Sequence, residues 1–502
     1  MREISLFCDI NYRVCDVDPR IFGSFLEHMG RVIYTGIYEP GHGNADEEGF
    51  RKDVLDKVHK MGVTTVRYPG GNFVSNYFWE NGVGPKEKRP KKLDLAWKAI
   101  ETNQFGTDEF IHWCKKADVS PIFTVNLGTR GIQDAINYIE YCNFPEGSEY
   151  SDLRKEHGIE KPYQIKTWCL GNEMDGNWQI GHKSAYEYGT LAAEAGKAMK
   201  IIDPTIELIV CGSSLSNMST YPDWDLQVLE QTYDVIDYLA LHQYYGGQDK
   251  GTKEFLAQTK DMQEYIDTIR SVVQVVKKKK RSDKDIKLSL DEWGVWASSG
   301  KTVNKEIDEK PWETAATISE QIYTMEDTLL FAGMMTVILK NADMIKIACQ
   351  SLLTNVSACI MTQKNGESWV QPIYYVFEAF AKHGNGIVLS DVKMGAEYQS
   401  EALGNVSYLD QVMVYHEDER EITLFAVYKG EEDLLNLQLE FGTFKPGKMI
   451  EHMVLTAEDK KMTNEENHFA IVPCSGEFVE EQNGKWNIRM EPLSFHVIRF
   501  SV

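Results

Sequence analysis

The sequence predicts an α/β chain in which a (β/α)8 TIM barrel is followed by a C-terminal antiparallel β-sandwich of jelly-roll-like character. Three observations carry this. Short β-branched or apolar runs alternate with longer helical patterns, eight times over, from about residue 20 to residue 380. After about residue 385 the long helical period disappears and short alternating runs with turn-like gaps take over. The length of 502 residues exceeds one ordinary core but suits a large barrel with a companion domain. A doubly wound open sheet shares the alternation, yet gives no reason for the count to stop at eight.

The first 16 residues read as strand-like and are expected to pair with the sandwich, giving a barrel over 17–384 and a second domain made of 1–16 plus 385–502. The eight candidate strands are Ile21–Glu27, Val63–Tyr68, Pro121–Leu127, Gln164–Leu170, Ile206–Cys211, Ile236–His242, Ile286–Asp291 and Met344–Cys349. Between them, stretches such as Ala185–Ile202 and Met262–Lys280 repeat apolar residues at three and four positions, as amphipathic helices do. The basic run Lys277–Arg281 closes one of these patterns and is expected to complement a helix C-terminus in solvent. In the last part, Val412–Tyr415, Ile422–Tyr428, Leu434–Leu439 and Leu493–Phe500 alternate as sandwich strands. No low-complexity linker divides the parts, so a packed interface is expected.

A hydrophobic fraction of 42% and a charged fraction of 26% exclude disorder and fibre. Lys plus Arg number 53 against 76 Asp plus Glu, a net charge of −23. That excess argues against nucleic acid, anionic membrane and polyanionic substrates, and leaves neutral ligands open. The N-terminus lacks the apolar run of a signal peptide, and no run of about 18 apolar residues suggests a membrane span. Nine cysteines without a CxxC repeat read as reduced, buried thiols of a cytoplasmic protein. The Asn-X-Ser triplets at Asn217, Asn355 and Asn405 then carry no meaning. No metal or nucleotide motif is present, and neither metal nor cofactor is expected.

Barrel chemistry sits at the C-terminal ends of the strands. The fourth candidate strand ends in Asn172-Glu173-Met174-Asp175-Gly176, and the seventh in Asp291-Glu292-Trp293-Gly294-Val295-Trp296. Either glutamate alone reads equally well as a surface acid or a partner in an ion pair. Together, on opposite walls of one mouth, they match the demand of glycosidic cleavage: one acid protonates the leaving oxygen while the other meets the cationic anomeric carbon.

Five separated motifs then resemble glycoside hydrolase family 51, the intracellular α-L-arabinofuranosidases, over nearly the whole chain: Phe25-Leu26-Glu27-His28-Met29-Gly30, Val66-Arg67-Tyr68-Pro69-Gly70-Gly71-Asn72, Gly171-Asn172-Glu173-Met174-Asp175-Gly176, Leu241-His242-Gln243-Tyr244-Tyr245 and Asp291-Glu292-Trp293. The resemblance implies Glu173 as general acid/base and Glu292 as nucleophile of a retaining, exo-acting hydrolysis. It also implies Asn172 on the sugar 2-hydroxyl, Arg67 holding the nucleophile ionised, His242 and Tyr244 orienting it, and Glu27 and Asn72 on the arabinose hydroxyls. Trp178, Trp293 and Trp296 are candidates for apolar walls against sugar faces. Arabinofuranosyl oligosaccharides would be the substrates and a homo-oligomer, often a hexamer, the assembly.

One departure stands out. After its eighth strand the family carries an Asn and, three residues on, a Gln; the stretch Gln350-Ser351-Leu352-Leu353-Thr354-Asn355 offers Leu352 and Asn355 instead. Asn355 is expected to take over the amide's substrate contact, unless the correspondence is displaced by a few residues. A β-xylosidase or endo-β-glucanase on the same barrel, and a non-catalytic sugar-binding protein, are the alternative readings.

Overall fold

In the computed structural model, which describes residues 1–296 and 300–502, the chain opens on a long strand, β1 (Arg2–Asp16), and then enters the barrel. There follow β2 (Gly23–Phe25), α1 (Lys52–Met61), β3 (Thr65–Tyr68), a hairpin of β4 (Lys92–Asp94) and β5 (Ala99–Glu101), α2 (Thr107–Ala117), β6 (Ser120–Val125), α3 (Ile132–Asn143), α4 (Glu149–Glu156) and β7 (Thr167–Leu170). The second half runs through α5 (Ala185–Ile202), β8 (Glu207–Cys211), α6 (Asp223–Thr232), β9 (Tyr238–Tyr245), α7 (Thr252–Lys280), β10 (Lys287–Val295), α8 (Gly300–Glu309), α9 (Met325–Lys340) and β11 (Ile345–Gln350). Strands β2, β3, β6, β7, β8, β9, β10 and β11 close in that order into one barrel, and each neighbouring pair is parallel. All eight predicted runs are barrel strands.

Their lengths differ from the prediction for physical reasons. Only Gly23–Phe25 of the first run pairs. At that seam a Cβ on Gly23 would meet Ala348 O and Thr65 Cγ2 at 2.7 Å, so the glycine permits a closer approach than any side chain would. β9 and β10 instead run past the predicted ends, pairing from Glu292 opposite His242 to Val295 opposite Tyr245, with a bulge between Ser289 and Glu292. A bulge next to a strand end re-aims the side chains that follow it, here Glu292.

Local chemistry fixes the helices. Ser184 accepts from Glu187 N–H at 3.3 Å while the Glu187 carboxylate takes Ser184 N–H at 3.1 Å, a capping box that starts α5. α7 ends in Lys277–Lys280, and Lys277 and Lys279 pair with Asp285 and Glu230, so the basic run is a charged helix end in solvent. Residues Met325–Leu339 of α9 are all buried, because this helix lies between the barrel and the second domain.

After a hairpin of β12 (Ile360–Thr362) and β13 (Ser368–Val370), and α10 (Pro372–His383), come β14 (Ile387–Gly395), β15 (Glu397–Ser400), β16 (Gly404–Ser407), β17 (Leu409–His416), β18 (Glu421–Tyr428), β19 (Leu435–Phe441), β20 (Lys448–Leu455), β21 (Cys474–Ser475), β22 (Lys485–Met490) and β23 (Ser494–Ser501). The expected C-terminal antiparallel sheet domain is present, with one parallel pairing inside it. Nine strands form one continuous sheet in the order β21-β20-β23-β18-β17-β14-β1-β19-β22, and β1, antiparallel to β14, runs parallel to β19. No hairpin joins β1 to β19, so turn geometry does not fix their relative direction. The sheet rolls on itself: Phe500 of β23 meets Phe441 of β19 at 5.6 Å and Trp486 of β22 at 4.9 Å. Along β18, Ile422, Leu424 and Ala426 face this inner core, while Phe425 and Val427 join the barrel's core, where Phe380 of α10 stacks on Phe425 at 4.1 Å. All nine cysteines are free thiols, and no helix among the described residues is long and apolar enough to cross a membrane.

Candidate active site

Glu292 leaves the bulge of β10 with both carboxylate oxygens occupied. Arg67 Nη1 donates to Oε1 at 2.7 Å and Tyr244 Oη to Oε2 at 2.8 Å. The Arg67 guanidinium, from the end of β3, is fully buried; its Nε lies 3.2 Å from Asp291 Oδ2 and its Nη2 donates to Asn172 Oδ1 at 2.7 Å. One cation thus binds both acids of the Asp291-Glu292 pair and orients Asn172, whose Nδ2 points to Asn72 Oδ1 at 3.4 Å. Arg67→Ala would leave two buried carboxylates without their shared cation. It is expected to cost about 3–5 kcal/mol, read as a fall in the urea midpoint, with Arg67→Lys in between because an ammonium cannot span three acceptors.

Glu173 follows β7 on a turn in which Gly171 (φ 87°) and Glu173 itself (φ 45°) take left-handed backbone, strain of the kind that collects at functional positions. The turn is held from outside: Asp175 Oδ2 accepts from Ser214 N–H at 3.1 Å and its other oxygen from the Ser214 hydroxyl, tying it to the loop after β8. The Glu173 side chain, 11% exposed, accepts from Trp178 Nε1 at 2.7 Å and lies 2.9 Å from His242 Nδ1. Burial first, and then the charge of Glu292, lift its pKa above the ordinary carboxylate range, against the His242 and Trp178 hydrogen bonds. Burial alone would lower the His242 imidazole; Glu292, Asp291 and Glu173 outweigh it and hold it well above its usual value. The two groups titrate as a pair across their shared hydrogen bond.

Glu27, just beyond β2, is buried against the turn after β3. Its Oε1 accepts from Phe73 N–H at 2.8 Å and Trp97 Nε1 at 3.0 Å. A Cβ on Gly71 would stand 2.6 Å from Glu27 Oε2, which is why the Pro69-Gly70-Gly71 turn is bare on this side. Burial, helped by the charge of Glu292, pushes Glu27 up to about 8. Relative to an unfolded value near 4.5, this acid stabilises the fold most at low pH, and the contribution is lost as pH rises towards about 8. Glu27→Gln is expected to flatten that part of the pH dependence, seen as a smaller drop in urea midpoint from pH 5 to pH 8 than in the wild type.

These groups face a cavity of about 590 Å³ lined also by Phe25, Met29, Asn72, Trp178, Trp296, Ser351 and Leu352. Trp97, on the β4–β5 hairpin, completes its rim and has no counterpart among the sequence-derived candidates. Trp178 is 46% exposed and, beyond a wall, is a hydrogen-bond donor to Glu173; Trp296 meets Tyr244 edge-on at 5.1 Å. Trp293 is fully buried against Phe331 and does not line the cavity.

The expectation for Asn355 is corrected. Its amide is buried and committed within the protein, donating to Arg31 O at 2.8 Å and Thr362 Oγ1 at 2.9 Å and accepting from Thr362 N–H at 2.8 Å. Its left-handed backbone (φ 60°) suits a loop clamp. Ser351 and Leu352 hold the cavity edge instead, with Ser351 Oγ 2.8 Å from Tyr244 Oη.

Among the described residues, Glu173, His242 and Glu292 form the one group whose ligand atoms, within 4.8 Å of one another, are close enough for a metal ion. Those atoms are already engaged with each other, with Arg67 and with Tyr244, and a divalent cation there would stand against the Arg67 guanidinium.

Residues 57–276 match the family model of the α-L-arabinofuranosidase 1 domain and residues 291–494 that of the α-L-arabinofuranosidase C-terminal domain. The chain is 48% identical over 500 residues to intracellular exo-α-(1→5)-L-arabinofuranosidase 1 of Bacillus subtilis, covering 99% of both chains. It is 39% identical to an exo-α-(1→6)-L-arabinofuranosidase of Bifidobacterium longum, covering 99% of this chain and 97% of the other. Among solved structures, a family 51 α-L-arabinofuranosidase from Bifidobacterium longum superposes with a TM-score of 0.94 at 37% identity over 100% of both chains. The arabinose complex of the Thermotoga maritima α-L-arabinofuranosidase does so with a TM-score of 0.88 at 32% identity, covering 99% of this chain and 100% of that one. By sequence and fold along its whole length, the chain belongs to the α-L-arabinofuranosidases of glycoside hydrolase family 51.

Proposed function

We propose that this chain removes terminal, non-reducing α-L-arabinofuranosyl residues from arabinan and arabinoxylan oligosaccharides by double displacement, with Glu292 as nucleophile and Glu173 as general acid/base. The observation that supports this best is the carboxylate pair, with one oxygen of each within 4.8 Å of the other. Retaining glycosidases place their carboxyl groups about 5–5.5 Å apart, whereas inverting ones leave about 6.5–9.5 Å for a water.

Glu292, held in place by hydrogen bonds from Arg67 and Tyr244, attacks the anomeric carbon while Glu173 gives its proton to the departing oxygen. Forming the glycosyl ester removes the Glu292 charge that had helped to raise Glu173. Glu173 then holds a proton less tightly and takes one from the attacking water, which releases Glu292 and a sugar of retained configuration. Asn172, oriented by Arg67, serves the 2-hydroxyl; Glu27, largely protonated near neutrality, and Asn72 serve the other hydroxyls. His242 and Tyr244 orient the two carboxylates, and Trp178 and Trp296 flank the ring.

We divide the chain into a barrel over 17–384 and a second domain of 1–16 plus 385–502; the second domain has an inner core of its own, and the other face of its sheet packs into the barrel's core through α9. We also place a homo-oligomer, the hexamer implied by family resemblance, in the cytoplasm, where it would act on imported fragments; light scattering tests the assembly. Activity is tested on a panel of aryl glycosides. Hydrolysis of the α-L-arabinofuranoside well ahead of the β-xylopyranoside and β-glucopyranoside is expected, and the reverse order would favour a xylosidase or glucanase.

A further inference from the structure

We infer that a second groove, on the far side of the Tyr244-Tyr245-Gly246 strip, binds the sugar units of the leaving oligosaccharide beyond the first, so that the preferred substrates are neutral chains of three or more pentose units. This rests on the arabinofuranosidase reading above and names the substrate length that reading leaves open. The groove holds about 360 Å³, against about 590 Å³ for the catalytic cavity, and ligand sites span about 300–1,000 Å³.

The two spaces share walls. Tyr244, Tyr245 and Gly246 line both, and the loop after β8 passes from one to the other, Leu215 facing the catalytic cavity and Ser216 and Asn217 the groove. Gly246 carries no side chain, so the rim between them is low at that point. Alternation along β9 divides its side chains accordingly. His242 and Tyr244 turn to the two glutamates, whereas Gln243 and Tyr245 turn the other way: Gln243 Oε1 accepts from Ser216 N–H at 3.2 Å and Tyr245 Oη donates to Asp261 Oδ2 at 2.7 Å.

Gln243 is 4% exposed and lines the groove, yet among the described residues its Nε2 has no hydrogen-bond partner. That amide donor stays open to the groove and is free to meet a ligand or water there. The acids of the groove are committed to protein donors, Asp261 to Tyr245 and Glu254 to the Ser400 hydroxyl and Glu401 N–H at 2.8 and 2.9 Å. What remains for a ligand are the donors of Gln243, Asn217 and Lys250, suited to the hydroxyl and ring oxygens of a neutral sugar. The far wall is the β15–β16 hairpin of the second domain, fixed on α7 by Glu254 and by Lys260 Nζ, which donates to Leu403 O at 2.6 Å. That wall is therefore set before a ligand arrives.

The test compares kcat/KM for an aryl α-L-arabinofuranoside and for linear arabino-oligosaccharides of two to five units, in the full-length wild type and in Asn217→Ala/Lys250→Ala, whose side chains are both exposed. In the wild type kcat/KM should rise from the disaccharide to the trisaccharide. In the double variant the ratio of trisaccharide to aryl glycoside should fall about 5- to 10-fold. Gln243→Leu, which keeps the side chain's volume and removes the donor, should lower the same ratio. A wild type indifferent to the third unit, or variants that keep the wild-type ratio, would overturn the groove while leaving the arabinofuranosidase reading intact. A wild type that fails to cleave the aryl arabinofuranoside would overturn that reading, and the groove's role with it.

Discussion

Glu292→Ala is expected to lower kcat by on the order of 10⁴- to 10⁶-fold on every substrate, the scale of loss when a covalent nucleophile is removed. Leaving-group quality should not soften it, because without this carboxylate no glycosyl ester forms. Added azide can take the vacated space and attack the anomeric carbon directly. The product is then a glycosyl azide of inverted configuration, identifiable by NMR. The variant should also be folded, since Asp291 remains to pair with Arg67 at 3.2 Å. A rate within tenfold of wild type would defeat the assignment, as would azide rescue with retention.

Glu173→Ala should behave differently because its role is proton transfer. On oligosaccharides, whose leaving alcohols need protonation, the loss should be about 10²- to 10⁴-fold. An aryl glycoside with an acidic phenol leaves unaided, so its first step should be nearly spared and a burst of phenol should precede slow turnover. Azide should relieve that second step and give a glycosyl azide of retained configuration, the opposite of the Glu292 variant. The alkaline limb of the kcat/KM profile should disappear as well. In the wild type, burial and the Glu292 charge raise Glu173, so activity on poor leaving groups persists above the ordinary carboxylate range and falls as the shared Glu173–His242 proton is lost. Equal losses on good and poor leaving groups would contradict a role as acid/base.

Much of this was legible in the chain. The barrel announced itself because its strands are buried on both faces and read as near-continuous apolar runs, such as Thr167-Trp168-Cys169-Leu170, between helices of clear period. Glu173 and Glu292 stood out as candidates from their place at strand ends, and the fold brings them together. What escaped was set by partners distant in sequence. That β1 joins the second sheet was expected, but its direction was not, because it pairs with residues more than 370 positions away and carries no mark of direction. Asn355 reads as a substrate amide in a polar run, but Arg31 and Thr362 claim it. Trp97 sits in a short hairpin too weakly patterned to stand out, although the alternation Leu93-Asp94-Leu95-Ala96-Trp97 among lysines was a signal for an apolar rim. Trp293 and Trp296, three residues apart on extended chain, face opposite ways by the alternation of the pleat, which sequence reading had not applied to them.

The division of labour between the two glutamates is tested most directly by trapping the intermediate. The enzyme would be incubated with a 2-deoxy-2-fluoro-α-L-arabinofuranosyl donor carrying an acidic leaving group, digested, and its peptides weighed and sequenced by mass spectrometry. One adduct of a single fluorinated pentosyl unit, on Glu292, is expected. An adduct on Glu173, or inactivation with no covalent sugar on either residue, would contradict that division of labour.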